Sequence, residues 1–175
     1  MNKGQDKQSA DLNNGIVALL PRLRRFCMAL AKGQADGDDL CQAAIERALS
    51  RADQFIAGTR LDSWMYRIAQ NIFIDQTRRM KTRGTEIEVD SPGLSITGDD
   101  GVHITEQRSD LARARAALYA LPDDQRLLMA LVVLDGKSYK EASDILEIPM
   151  GTVMSRIARA RRAIDAYVNG TAAND

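Results

Sequence analysis

The chain has 175 residues, 45% hydrophobic and 27% charged, which is enough apolar material to pack one domain or two small ones. Lys plus Arg and Asp plus Glu number 24 each, so net charge names no partner and the distribution of charge has to decide. Aromatics are only 5%, while Ala, Leu and Arg recur at close spacing, which favours helix over sheet.

Several classes are excluded on the same grounds. The longest apolar run, Leu127 to Leu134, falls far short of the ~20 residues that cross a bilayer. The first fifteen residues, MNKGQDKQSADLNNG, contain no apolar signal segment. Cys27 and Cys41 each fall on an apolar helical stripe, which argues for core positions rather than a disulfide framework, a zinc site or a redox role. His103 is the only histidine, and no P-loop or G-x-S-x-G turn accompanies it. The expectation is a cytoplasmic, non-enzymatic binding protein with no cofactor, no metal and no membrane insertion.

Residues 1–14 read as a flexible polar tail. Ile16, Leu19, Leu20, Leu23, Phe26, Cys27 and Leu30 then recur in steps of three and four, one face of a helix that Pro21 kinks or starts. Leu40, Cys41, Ala44, Ile45, Ala48 and Leu49 mark a second helix, with Asp38 or Asp39 as its N-cap. A loop at Ala57-Gly58-Thr59 precedes a third helix over about 62–79, which buries Leu61, Trp64, Met65, Ile68 and Ile72. Residues 15–83 thus make one helical bundle.

Residues 84–107 hold six carboxylates, four glycines and Pro92, with neither Lys nor Arg, so 84–109 reads as a flexible acidic linker. Helical periodicity returns from Asp110 through Leu111, Leu118 and Leu121. Leu127, Leu128, Leu131, Val132 and Leu134 form an apolar helix that stops at Asp135-Gly136. Ser138 followed by Glu141 reads as a capping box for a short helix carrying Tyr139, Ala142, Ile145 and Leu146 inward. Pro149 ends the turn, and Thr152 to about Tyr167 is the last helix, burying Val153, Ile157, Ala160 and Ile164. Two short helices around a tight turn, the second rich in Arg, describe a helix-turn-helix within a second domain, 110–170.

Charge is segregated along this plan. Arg60, Arg67, Arg78, Arg79, Lys81 and Arg83 face only Asp62 and Asp75 in the third helix and its entry loop. Arg156, Arg159, Arg161 and Arg162 face only Asp165 in the last. Two basic helices in a neutral chain fit two contacts to one polyanion. Phe55, Trp64, Tyr66 and Phe73, half of the eight aromatics, cluster at the first of them, where ring faces suit unstacked bases; for Phe73 a core position is the plainer reading.

Four segments in order carry a resemblance. Asp38-Asp39-Leu40-Cys41-Gln42, Ser63-Trp64-Met65-Tyr66-Arg67-Ile68-Ala69-Gln70-Asn71, Leu121-Pro122-Asp123-Asp124-Gln125-Arg126, and the pair Ser138-Tyr139-Lys140-Glu141-Ala142 with Gly151-Thr152-Val153-Met154-Ser155-Arg156 match motifs of one family. The chain resembles, from 16 to 168, the extracytoplasmic-function sigma factors of bacterial RNA polymerase. That resemblance implies an all-α fold of two small domains, a sigma-2-like bundle and a sigma-4-like helix-turn-helix. It also implies that the chain joins core RNA polymerase at its clamp helices and flap, reads two promoter elements and begins transcription of a stress or envelope regulon. An anti-sigma factor is the implied regulatory partner.

Residue by residue, the resemblance places Asp39, Gln42, Glu46 and Arg47 on the polymerase, with Ala43 where the family often carries Glu. It places Gly58, Thr59, Arg60, Trp64, Arg67, Asn71, Arg78 and Arg79 on the minus-ten element. There the loop pockets an extruded base, Trp64 wedges the opened duplex and the arginines hold phosphates. Thr152, Met154, Ser155, Arg156 and Arg159 would read the minus-thirty-five element, with Glu147 in the turn where Gly is common. Two other readings compete: a sigma mimic that sequesters an anti-sigma factor, and a stand-alone helix-turn-helix regulator using 110–168. The mimic does not need the basic residues, and the regulator leaves the Trp64 helix without a purpose.

Overall fold

The computed structural model describes residues 3–83 and 102–169, with side chains at 9–82 and 111–169; residues 84–101, most of the expected linker, lie outside it. The N-terminal half is three helices, α1 (Lys3–Ala31), α2 (Gln34–Ser50) and α3 (Leu61–Arg83), with a 3-10 turn at Ala52–Gln54. The C-terminal half is α4 (Val102–Ala120), α5 (Asp123–Met129), a π-turn at Ala130–Leu134, α6 (Tyr139–Leu146) and α7 (Met150–Val168). Among the described residues there is no strand.

The helix α1 starts at Lys3, inside the stretch expected to be a loose tail. Leu12 is buried together with Ile16, Leu19, Leu23, Phe26, Cys27 and Leu30, so the apolar stripe begins earlier than the polar composition suggests. Pro21 sits within the helix rather than at its start. Burial of the stripe on both sides offsets the ~3 kcal/mol that an interior proline costs.

The second helix is not capped by Asp38 or Asp39. It begins at Gln34 behind an extended Gly33, and Asp38 instead takes both donors of Arg24 on α1, at 2.5 and 3.0 Å. Gly37 lets the two helices touch: a Cβ there would lie 2.6 Å from Met28 Cα.

In the C-terminal half the π-turn widens the helix after α5, with Asp135 N donating to Ala130 O at 3.1 Å. Gly136 then takes a left-handed φ of 70°, the helix-stop expected there. The Ser138–Glu141 capping box is complete in both directions. Glu147 takes φ 55° at the end of α6, the left-handed turn that usually calls for glycine. The last helix begins at Met150, two residues before the expected start, with Pro149 as N-cap. Residues 102–109, expected as the end of the linker, are the first turns of α4.

One apolar core runs through both halves, from Leu23, Phe26, Met65 and Ala69 to Leu128, Leu131, Ile145, Val153 and Ile157. Cys27 and Cys41 are free and buried within it, and Phe73 is core as expected. Leu20, Leu49, Leu111 and Leu134 carry the periodicity but are exposed, because the stripe is wider than the face each neighbour covers.

Candidate nucleic-acid interface

The loop Phe55–Arg60 is shaped by its backbone. Thr59 donates through N and Oγ1 to Ile56 O, at 3.1 and 2.7 Å, and Gly58 takes φ 87°. Gly58, Thr59 and Arg60 are exposed at its tip. Trp64, one turn into α3, is half-buried, with its ring 5.2 Å from that of Phe55. Trp64, Arg67, Asn71 and Arg78 recur in steps of three, four and seven, so they form one stripe along α3. Its opposite side, Met65, Tyr66, Ala69, Ile72 and Phe73, is core. Arg79 stands one position off the stripe and lines a different cleft, of about 870 Å³, together with Asp39.

The α3 stripe does not face open solvent along its length. Arg67 pairs with Glu147 at 3.2 Å and donates to Asp144 O at 2.8 Å, both at the end of α6. Arg60 pairs with Asp62 at 3.1 Å and with Glu141 of α6. Arg78 lines a cleft of about 320 Å³ whose other wall carries Leu127, Leu146, Ile148 and Arg156. Asn71 is exposed.

On α7, Val153, Ile157 and Ala160 are buried, which turns Met154, Ser155 and Arg159 outward as expected. Thr152 is half-buried. Arg156 is turned the other way, its Nε 3.0 Å from Asp124. Arg161 and Arg162 are exposed and extend the basic surface beyond the expected set. On α2, Asp39, Gln42 and Glu46 form an exposed polar stripe with Gln42 donating to Glu46 at 2.9 Å; Arg47 is half-buried beside it.

A second set of charged residues was missed by sequence reasoning. Lys137 is buried and pairs with Asp62 of α3, stands 3.6 Å from Asp135, and lies 5.6 Å from the Tyr66 ring centroid. Arg126 is buried as well. It donates to Leu30 O at 3.1 Å, Leu121 O at 3.0 Å and Asp123 at 2.6 Å, and lies 5.6 Å from the Phe73 ring centroid. Burial lowers the Arg126 pKa despite Asp123 beside it. Burial alone would raise Asp62, but hydrogen bonds from Lys137 and Arg60 outweigh it and hold that carboxyl well below its ordinary range. Glu141 is drawn down to about 2 by the Ser138 backbone and hydroxyl, then by Arg60. The Arg126 motif was visible in sequence; a buried Lys137 carries no local signal, since lysine is rarely inside.

The two halves match two family models, Sigma2 domain of PhyR over residues 16–70 and Sigma-70, region 4 over 111–164. The chain is 34% identical over 163 residues to the ECF RNA polymerase sigma factor EcfG of Rhodopseudomonas palustris, covering 91% of this chain and 87% of that protein. It is 34% identical over 143 residues to the ECF RNA polymerase sigma-E factor of Escherichia coli K12, covering 76% and 74%. The sigma factor RpoE of Bartonella quintana, solved with the anti-sigma factor NepR, superposes with a TM-score of 0.75 at 27% identity, over 91% of this chain and 97% of that one. With a bundle ahead of a helix-turn-helix and a relative 34% identical over 87% of its own length, the chain belongs to the ECF RNA polymerase sigma factors.

Proposed function

We propose that the chain is a reversible, non-catalytic specificity subunit that joins core RNA polymerase in the cytoplasm and reads two promoter elements. The observation that carries this reading is the pair of cationic helix faces in one sigma-family chain: Trp64, Arg67, Asn71 and Arg78 along α3, and Arg159, Arg161 and Arg162 along α7. The polar stripe Asp39, Gln42 and Glu46, with Arg47, meets the polymerase clamp helices, and the C-terminal half meets the flap. Gly58, Thr59 and Arg60 receive an extruded minus-ten base, Trp64 supports the edge of the opened duplex, and Asn71 reads the last paired base. Arg67, Arg78 and Arg79 hold phosphates; unstacking costs a few kcal/mol per step, which stacking and pocket contacts must offset. Thr152, Met154, Ser155, Arg156 and Arg159 address the minus-thirty-five major groove, where a bidentate arginine discriminates by ~1–3 kcal/mol. An anti-sigma factor holds the chain inactive until a stress or envelope signal arrives.

The test is transcription in vitro with core polymerase on fragmented genomic DNA, followed by sequencing of the transcripts. Discrete start sites sharing two upstream motifs are expected, and Trp64→Ala and Asn71→Ala should each slow open-complex formation. Tight binding to core without discrete starts would favour a sigma mimic. Failure to bind core would leave a stand-alone helix-turn-helix regulator.

A further inference from the structure

The outward face of α7 is divided along its length. Arg159, Arg161 and Arg162 are exposed from its third turn onward, whereas the exposed positions of its first two turns are Met150, Gly151, Met154 and Ser155, none of them charged. Ser155 Oγ donates to Thr152 O at 3.1 Å, so its proton is engaged within its own helix. The one cation of this stretch, Arg156, is drawn back onto Asp124, with Nε 3.0 Å from the carboxylate. Two methionines, 40% and 50% exposed, are therefore the large side chains that this end of the helix presents outward.

Met150 and Met154 stand on one stripe of α7, about 6 Å apart along its axis. That spacing covers about two base-pair steps. The ground between them is open: a Cβ added at Gly151 would meet nothing within 4 Å, so the backbone itself can come close to a second surface. The arginines that follow are complementary to a polyanion. In helix-turn-helix docking the N-terminal residues of the second helix meet base edges. The apolar group that base edges present in the major groove is the thymine 5-methyl. An unbranched thioether adapts its shape to such a group, and it offers no donor fork that would favour guanine.

We propose that Met154, with Met150 one turn before it, is a specificity-determining residue of α7 that selects thymine methyl groups in the minus-thirty-five element. The assignment deepens the promoter-reading role proposed above and rests on it. Arg159, Arg161 and Arg162 hold the flanking phosphates and keep the helix seated, and the methionines discriminate among the base pairs beneath. The element read in this way contains A·T pairs, with thymines in contact with the two side chains lying within about two base-pair steps of one another.

The experiment uses the full chain joined to core RNA polymerase, with the promoter duplexes recovered by the transcription test. Each thymine of the minus-thirty-five element is replaced in turn by deoxyuridine, which removes the 5-methyl group and leaves base pairing intact. Substitution at the contacted thymines should weaken the parent complex about fourfold each, the factor that one buried methyl group is worth. Met154→Ala should weaken binding to the unmodified duplex by at least that factor, and deoxyuridine at one of those thymines should then cost it nothing further. Met150→Ala should do the same at the neighbouring contact. Both side chains are exposed on a helix that alanine favours, so the variants fold, which far-UV circular dichroism checks. An element with no thymine on either strand overturns the assignment. So does deoxyuridine tolerated by the parent at every position, or a Met154→Ala complex as sensitive to it as the parent; each of these leaves the promoter reading intact. A chain that gives no discrete start sites with core polymerase overturns that reading, and the methionine assignment with it.

Discussion

Arg22 donates two parallel hydrogen bonds of 2.9 Å to the carboxylate of Asp135, 113 residues further along the chain. The pair is asymmetric: the Arg22 side chain is 42% exposed, whereas Asp135 is 4% exposed and also faces Lys137 at 3.6 Å. Removing the cation leaves Asp135 a second one, but removing the carboxylate leaves Lys137 with Asp62 alone. Arg22→Ala should therefore cost about 1 kcal/mol or less, and Asp135→Ala about 3 kcal/mol. Urea unfolding of both variants decides it, and equal midpoints would deny Asp135 its central place.

Gly37 and Gly151 look alike in sequence, and the structure separates them. Both lie in helices, where alanine is favoured over glycine by about 1 kcal/mol. At Gly151 an added Cβ meets nothing within 4 Å, so Gly151→Ala should raise stability by about 0.5–1 kcal/mol. At Gly37 it would lie 2.6 Å from Met28 Cα and 2.9 Å from Met28 N, so backbone must move. Overpacking of this kind costs about 1–3 kcal/mol and wins over propensity, so Gly37→Ala should lower the thermal midpoint.

Glu147 bears a different backbone cost. Its φ of 55° lies in the left-handed region, worth about 1 kcal/mol for a residue with a Cβ. Its ion pair with Arg67 is largely exposed and gives little back. Glu147→Gly should stabilise the chain by about 0.5–1 kcal/mol, read by chemical unfolding at neutral pH. A loss instead would show that the pair outweighs the strain.

The helix-turn-helix was legible because its signals are local: a capping box, a turn proline and inward residues at regular spacing all sit within one short segment. The expected positions of Met154, Ser155 and Arg159 followed from Val153 and Ile157 having to face inward. The start of α2 was misread because Asp38 resembles a cap but answers to Arg24 on another helix. The seam between the two halves was invisible for a stronger reason. Arg22, Asp62, Arg126, Asp135 and Lys137 come from distant parts of the chain, and nothing in the neighbourhood of each one announces a buried partner.

The acid response of the seam follows from Glu141 and Asp62. Glu141 titrates at about 2 in the folded chain against an ordinary 4.5, and Asp62 is likewise depressed. A depressed carboxyl stabilises the folded state fully above its unfolded pKa and loses that contribution as pH falls through the folded value. Stability should thus be level above about pH 5 and fall from there toward pH 2. Glu141→Gln should flatten part of that fall, seen as urea midpoints measured across the acid range. An unchanged profile would remove Glu141 from the cause.

On the isolated chain, the arginines of α7 should differ in how they respond to salt. Arg159 is exposed and its Nε makes only a 3.4 Å contact to Ser155 O, so its charge is available to a phosphate. Arg156 is half-buried and paired with Asp124 at 3.0 Å, so much of its field is already neutralised. Each phosphate contact contributes about 0.9 to the slope of log affinity against log salt. Arg159→Ala should flatten the slope by about that amount on a duplex carrying the minus-thirty-five motif, and Arg156→Ala should flatten it much less. Asp124→Asn, which releases Arg156, should steepen it. If Arg156→Ala matches Arg159→Ala and Asp124→Asn changes nothing, the Asp124 pair does not compete with DNA, and Arg156 reads the groove as freely as its neighbour.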